Sequence, residues 1–333
     1  MPTTQIHPPK LERENPVKVS VIIPAYNAAT TIRATLDSVL GQTIPPHEIL
    51  VMDDGSNDDT PSILDTYKSR ITVFRQTNVG LSKSRNALID KARGDLIAFL
   101  DADDLWHSKY LEVQLGLFER YSEAAAFFTA DVVFYENENF EWATDLFDAP
   151  SSVELIDPLS FLKRYNSTPG LFYPSCCCVP RRVLERVGTD PFQMRRAEDC
   201  YFCNLLPFYG PIVRSSTPLM AYRIREGSLS SDVVNVCSAA VHAFELLEER
   251  YRTSVDPDLS AAFRQAFALR RRDYAKALLG ARRIREGRQQ LWKSMDNSRV
   301  PISLVKSLGA LLLTYMPRYF QPAWRPNERE QGA

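Results

Sequence analysis

Acidic residues gather directly after apolar runs in the first third of the chain. Asp101-x-Asp103-Asp104 follows DLIAFL. Carboxylates this close repel one another, and at a strand end they are best tolerated with a divalent cation or hydrogen-bond donors between them. Oxygen-only ligands select Mg2+ or Mn2+, and Mg2+ needs few protein carboxylates when substrate phosphates supply the rest. The plainer alternative is a helix N-cap, an acid before Leu105-Trp106 satisfying the first N–H groups of a helix expected over 105–121. Capping asks for one acid, which suits Asp104. Asp101 and Asp103, with Ala102 between them, remain for a metal or a nucleotide.

Asp53-Asp54-Gly55-Ser56 ends a second apolar run. A carboxylate there can accept a hydrogen bond from the ring N–H of a uracil or thymine base, whereas Asp58 and Asp59 before Thr60 read as helix caps. Tyr26, in Pro24-Ala25-Tyr26-Asn27, can stack on a base or simply pack. Gly80-Leu81-Ser82-Lys83-Ser84-Arg85-Asn86 opens a helix. Its free N–H groups with Lys83 and Arg85 suit an anion, and a surface helix start is the bland alternative. Glu198-Asp199 starts AEDCYFCNLL: one acid can favour the helix dipole, the other is a candidate general base.

These residues need a frame. VKVSVII from Val17, HEILVMD (47–53), ITVFRQ (71–76) and DLIAFLD (95–101) read as strands, with helical patterns after 27, 60, 80 and 105. Strand and helix alternating through short links predict an α/β fold, with a parallel sheet covered on both faces. Ligands then collect beyond the carboxyl ends of the strands, where all the acidic turns lie. From 123 to 230 the pattern is less regular. After about 232 strands stop, and helices are expected over 233–252, 257–295 and 301–316. The chain thus divides into a leader (1–16, expected to be mobile), a catalytic domain (17–231) and a C-terminal helical region (232–333).

With 333 residues, 44% hydrophobic and 24% charged, the chain can bury a sizeable core and is neither disordered nor fibrous. Forty basic against 41 acidic residues give a net charge of −1, which argues against a nucleic-acid partner. Three of six cysteines are consecutive (176–178), a poor disulfide framework and a sign of a reducing compartment. The N-terminus lacks the apolar stretch of a signal peptide, and no run is long enough to span a bilayer. A cytoplasmic location is expected.

VSVIIPAYNAATTIRATLDSVLGQT, DDGSNDDT, NVGLSKSRN, GDLIAFLDADD and AEDCYF, in that order and spacing, resemble family 2 glycosyltransferases of the GT-A fold over about 17–230. The resemblance implies an inverting, hexosyltransferase-type enzyme that uses a nucleotide-diphosphate sugar. It places Pro24, Ala25, Tyr26 and Asp54 at the base, with Asp53, Lys83 and Arg85 close by. Asp101, Ala102 and Asp103 become the DxD segment, touching ribose and a Mg2+ or Mn2+ bound to the diphosphate, with Asp104 adjacent. Asp199 becomes the base that deprotonates an acceptor hydroxyl. A UDP-sugar is the favoured donor, and a saccharide or lipid-linked acceptor in polysaccharide, glycan or glycolipid assembly is implied. A dehydrogenase would want GxGxxG after the first strand, and a nucleotidyltransferase a Gly-rich basic loop; PAYNAAT offers neither. A non-catalytic descendant binding a nucleotide sugar or a partner stays open as the alternative.

Two further features stand out. Between Phe263 and Lys293 ten basic residues face only Asp273 and Glu286, and aromatic residues follow at Trp292, Tyr315, Tyr319 and Trp324. This predicts either a peripheral contact with an anionic membrane on its inner face, or a helical subdomain whose arginines are merely solvated. In Tyr222-Arg223-Ile224-Arg225-Glu226-Gly227-Ser228, Arg225 stands where many relatives carry a His that can complete the metal shell. Arginine has no lone pair for a metal but can donate paired hydrogen bonds to phosphate, which predicts that Arg225 takes over part of the electrostatic work.

Overall fold

The computed structural model describes residues 16–138, 140–144, 146–147, 151–167, 172–225, 232–254, 256–296 and 301–314. The leader expected over 1–16 lies outside them but for its last residue. In chain order the elements are β1 (Val19–Ala25), α1 (Ile32–Leu40), β2 (Glu48–Asp53), α2 (Thr60–Thr66), β3 (Thr72–Arg75), α3 (Leu81–Lys91) and β4 (Leu96–Phe99). There follow β5 (Leu105–Trp106), α4 (Tyr110–Arg120), β6 (Ala126–Tyr135), β7 (Val153–Ile156), α5 (Pro158–Ser167), β8 (Cys177–Pro180), α6 (Arg181–Val187), α7 (Glu198–Leu205) and β9 (Ile212–Ile224). The last four are α8 (Val233–Arg252), α9 (Pro257–Gly280), α10 (Ile284–Asp296) and α11 (Pro301–Leu313).

Two compact units form. The first takes residues 1–161, 168–195 and 202–225; the second takes 162–167, 196–201 and 226–333. In the first, one sheet runs β3-β2-β1-β4-β8-β6-β9-β5, with β7 also on β9. β3, β2, β1 and β4 pair in parallel. Every residue of β1 and β4 is buried, which is why both read as unbroken apolar runs rather than alternating ones. Ile32, Leu36 and Val39, at spacings of four and three, give α1 the stripe that it buries.

Beyond β4 the expectation of a parallel sheet needs correcting. β8 runs antiparallel to β4, β6 antiparallel to β8, and β9 parallel to β6, so the sheet is mixed. β9 has 13 residues and gave no clear strand signal, because Pro218 interrupts it. That proline faces Ala130 where the register shifts, the kind of irregularity that lets a sheet hold a proline. A second correction concerns the helix expected over 105–121. Leu105 and Trp106 pair with Ala221 and Met220 as a short antiparallel strand, and α4 begins only at Tyr110.

The second unit is helical among its described residues. Tyr251 stacks on Phe263 at 3.9 Å, and Phe244 lies 4.8 Å from Phe263 and 5.4 Å from Phe267, joining α8 to α9. Each ring buried so completely contributes about 1.5–3 kcal/mol. The helix expected over 257–295 is two helices, α9 and α10, divided at 281–283, where Arg282 takes φ +61°. Ala275, Leu279, Leu291 and Leu311 close the contact among α9, α10 and α11. Residues 315–316 of the last expected helix lie outside the described residues, as do Tyr319 and Trp324.

Candidate active site

The loop after β2 is built by its own acids. Gly55 takes φ +77°, and a Cβ there would meet the Asn78 backbone nitrogen at 2.8 Å, so only glycine turns the chain here. Asp53, buried, accepts from the Ser56 N–H at 3.0 Å. Asp54, also buried, accepts from the Gln76 side chain at 2.8 Å and from the N–H groups of Val79 (3.0 Å) and Gly80 (2.8 Å). A carboxylate thus sits on the N-terminus of α3, where the helix dipole favours it. Asp58 accepts from Thr60 N–H at 3.0 Å, the cap expected of it, and from Ala29 N–H at 3.0 Å; Asp59 makes no side-chain cap.

The loop after β1 is stitched to this one. Asn27, at φ +48°, donates its N–H to Ser56 Oγ and accepts from Asn57 N–H, and Ala28 N–H donates to Thr60 Oγ1. Pro24 and Ala25 are buried in β1, while Tyr26 stands 48% exposed. An aromatic ring left in water beside two rigid loops is available to a stacking partner.

The loop after β4 carries the remaining acids. Its backbone is held by α1: Thr31 and Thr35 hydroxyls donate to the Ala102 carbonyl, and Thr35 also reaches the Asp104 carbonyl at 2.9 Å. The Asp101 N–H donates to Ser175 Oγ. Arg85 of α3 donates to Asp101 Oδ1, and Arg225, just past β9, donates to Asp103 Oδ2 at 2.6 Å. Arg223, two residues earlier, gives its N–H to Asp104 Oδ1 (3.1 Å) and its Nε–H to the Asp103 carbonyl (2.8 Å). Asp104 is buried and does not cap α4, whose start at Tyr110 lies too far on. Burial first, then the charges of Asp103 and Asp101, push its carboxyl well above the usual range. Asp103 moves the same way, by burial and the neighbouring Asp101, with Arg225 opposing.

The structure therefore brings Arg85 to Asp101 and Arg225 to Asp103 in the first unit, while Asp53 and Asp54 lie at the carboxyl end of β2 and Ala102 in the loop after β4. Lys83 is exposed on the first turn of α3. Asp199 stands in the first turn of α7, in the second unit. The segment before it is unusual: Asp190, Met194 and Ala197 take φ of +58°, +82° and +53°. Part of it is fastened to α3, since Asn86 brackets the Phe192 backbone and Ser82 donates to the Met194 carbonyl. The NVGLSKSRN motif thus spends Ser82 and Asn86 on holding a distant segment. Ser175, Thr35, Gln76 and Arg223 were missed; Arg223 alone had a signal, its place in the segment around Arg225.

Asp101 and Asp103 suit a hard divalent cation in donor chemistry. A carboxylate offers about four lone-pair sites, and each of these spends one on its arginine. Among the described residues no group of three or more His, Cys, Asp or Glu side chains encloses a metal, so two carboxylates would need phosphate oxygens and water to complete a shell. The five cysteines at 176–178, 200 and 203 are buried, and burial raises Cys237 to about 11.

The family model described as Glycosyl transferase family 2 matches residues 20–188. A UDP-Glc:alpha-D-GlcNAc-diphosphoundecaprenol beta-1,3-glucosyltransferase of Escherichia coli, WfgD, is 43% identical over 101 residues, 30% of this chain and 40% of WfgD. The chain spans less than half the length of the curated relatives that match it at 40% identity or more. TarS of S. aureus in complex with UDP-GlcNAc superposes with a TM-score of 0.61 at 19% identity, over 91% of this chain and 82% of that one. The mannosyltransferase PcManGT of Pyrobaculum calidifontis, with GDP-Man and Mn2+, gives 0.59 at 18% identity over 93% and 85%. At such identities the likeness establishes the fold, GT-A with a helical C-terminal region.

Proposed function

The chain belongs to glycosyl transferase family 2, and from that premise we propose that it moves a sugar from a nucleoside diphosphate to an acceptor hydroxyl with inversion. The observation that carries the reading is the set of sheet-end loops, with Asp101 and Asp103 facing Arg85 and Arg225. The base rests against Pro24, Ala25 and Tyr26, with Asp53 and Asp54 fixing the loop beneath it and Lys83 near the phosphates. Asp101 and Asp103 would hold Mg2+ or Mn2+, which when bound offsets charge on the departing diphosphate. Asp199 takes the acceptor proton, and the oxygen attacks the anomeric carbon from the face opposite the leaving group. One displacement inverts the configuration, and no covalent intermediate is needed.

UDP-sugars are the first donors to try, supported by the ligand of TarS and the donor named for WfgD. The acceptor class that the WfgD name supports is a lipid-linked saccharide of the cell envelope. Residues 17–231 would form the catalytic domain and 232–333 its helical extension. No described helix is long and apolar enough to cross a membrane. A peripheral place on the cytoplasmic face is supported by Trp292, Leu308 and Leu312, exposed at 54%, 42% and 59%, beside exposed Arg285, Lys293 and Lys306. The test is release of nucleoside diphosphate from a panel of nucleotide sugars with Mn2+ and with EDTA. Donor-specific release that EDTA abolishes supports the reading. Donor binding in thermal shift without release under any condition returns the chain to the non-catalytic alternative.

A further inference from the structure

Two guanidinium–carboxylate pairs meet the acidic loop, and they are built differently. Arg85 is rooted in α3, its side chain is 1% exposed, and its guanidinium lies 5.1 Å over the buried ring of Phe192. Phe192 is held in turn by Asn86, at 2.7 Å and 3.0 Å. Both partners of that stack are buried. Asp101 is thus paired with a buried counter-charge.

Arg225 is placed otherwise. It follows the last residue of β9, and its side chain is 31% exposed. The anchor of that strand end is Arg223, with two hydrogen bonds to the loop and its guanidinium 4.5 Å over Phe134. Among the described residues Arg225 makes one hydrogen bond, to Asp103 Oδ2, and its Nε–H is buried without an acceptor. A buried donor left unmade is costly, so the pairing with Asp103 is not the arrangement that satisfies this side chain best. A group with several anionic oxygens, such as a diphosphate, can accept from Nε and a terminal nitrogen together. The guanidinium and a divalent cation on the same carboxylate repel each other, so while Arg225 stays on Asp103 a metal there is held more weakly.

We infer that Arg225 is an exchangeable cation: it neutralises Asp103 in the ligand-free protein, weakens the hold of that carboxylate on a divalent metal, and releases it by moving onto the donor's phosphate oxygens. The inference rests on the donor reading above. It makes metal and nucleotide mutually dependent, since each favours the state in which Arg225 has left Asp103. It also divides labour between the arginines, one fixed and one mobile.

Mn2+ binding, read from the free-ion electron paramagnetic resonance signal, tests this without turnover. Full-length wild type, Arg225→Gln and Arg225→Lys would each be titrated with Mn2+, with and without saturating UDP, after circular dichroism shows native helix content. UDP affinity is measured separately by calorimetry. Wild type is expected to bind Mn2+ weakly alone and about tenfold or more tightly with UDP. Arg225→Gln is expected to bind Mn2+ about tenfold more tightly than wild type without UDP, and to gain less when UDP is added. Arg225→Lys, which keeps the charge, should fall between. Equal Mn2+ affinity of Arg225→Gln and wild type without UDP overturns the inference while leaving the donor reading intact, provided UDP binds. Failure of every protein to bind UDP or Mn2+ overturns both.

Discussion

The acidic loop of the first unit and the basic helices of the second both crowd like charges, yet they dispose of them in opposite ways. Around Asp101–Asp104 two of the three carboxylates meet arginines and keep lone pairs to spare, and Arg225 keeps a spare donor. In α9–α11 the cations are largely consumed. Arg271 donates to Glu245 and Gln290, Arg272 to Ser307, and Arg288 to the hydroxyl and carbonyl of Thr314. Arg270 meets Asn166 and Asp273, Lys276 meets Asp273, and Arg283 forks onto Glu286. A charge cluster signals a ligand when its groups have hydrogen-bonding capacity left over. When the fold itself has used that capacity, the cluster is architecture.

Substitutions can break or sharpen this contrast. The largest effects belong to the acids. Asp199→Asn should lower kcat by about 10²–10⁴-fold with UDP affinity unchanged, as expected for removal of a general base. Turnover at the wild-type level would remove Asp199 from that role. Asp103→Asn should cost about 10²–10³-fold in kcat/KM, measured at saturating Mn2+. Asp54→Ala comes next and should act on stability: losing the acceptor for Gln76, Val79 and Gly80 should cost about 2–4 kcal/mol in urea unfolding. An unchanged unfolding midpoint would mean that its contacts are not structural.

In the second unit the expected effects are smaller. Arg271→Ala should destabilise by about 1–3 kcal/mol, because it strips packing from Phe267 as well as its hydrogen bonds. If that variant unfolds like wild type, the idea that these arginines are consumed fails. Arg285→Glu with Lys293→Glu should weaken sedimentation with anionic vesicles at low salt, at about 1 kcal/mol for each cation lost. Wild type that fails to sediment at either low or moderate salt excludes the membrane reading. Arg285→Ala alone should leave unfolding within about 0.5 kcal/mol of wild type.

Much of the first unit was legible from β1 to β4, because buried parallel strands and amphipathic helices write their periods into adjacent residues. The acids after β2 and β4 could be read as strand-end groups for the same reason. Local pattern fails where a partner is remote. β9 hides behind Pro218, and with it went the capture of Leu105 and Trp106 into β5. Asp104 looked like a cap because a helix was expected next; its partner is Arg223, 119 residues away.

By itself the sequence determined the order of elements through β4, the helical character of the C-terminal region, the acids at the strand ends and the family to which the chain belongs. Tertiary structure alone decided which of those acids are spent and which are spare. Asp53 and Asp54 look alike in the sequence as a turn and as a site, and the structure shows that both help to fix the loop. Ten basic residues look alike as a surface charge, until Ser307, Thr314 and Glu245 arrive from other helices to accept from them. The reason is physical: periodicity is set by neighbours along the chain, whereas the satisfaction of a polar group is set by whichever partner folding brings within about 3 Å.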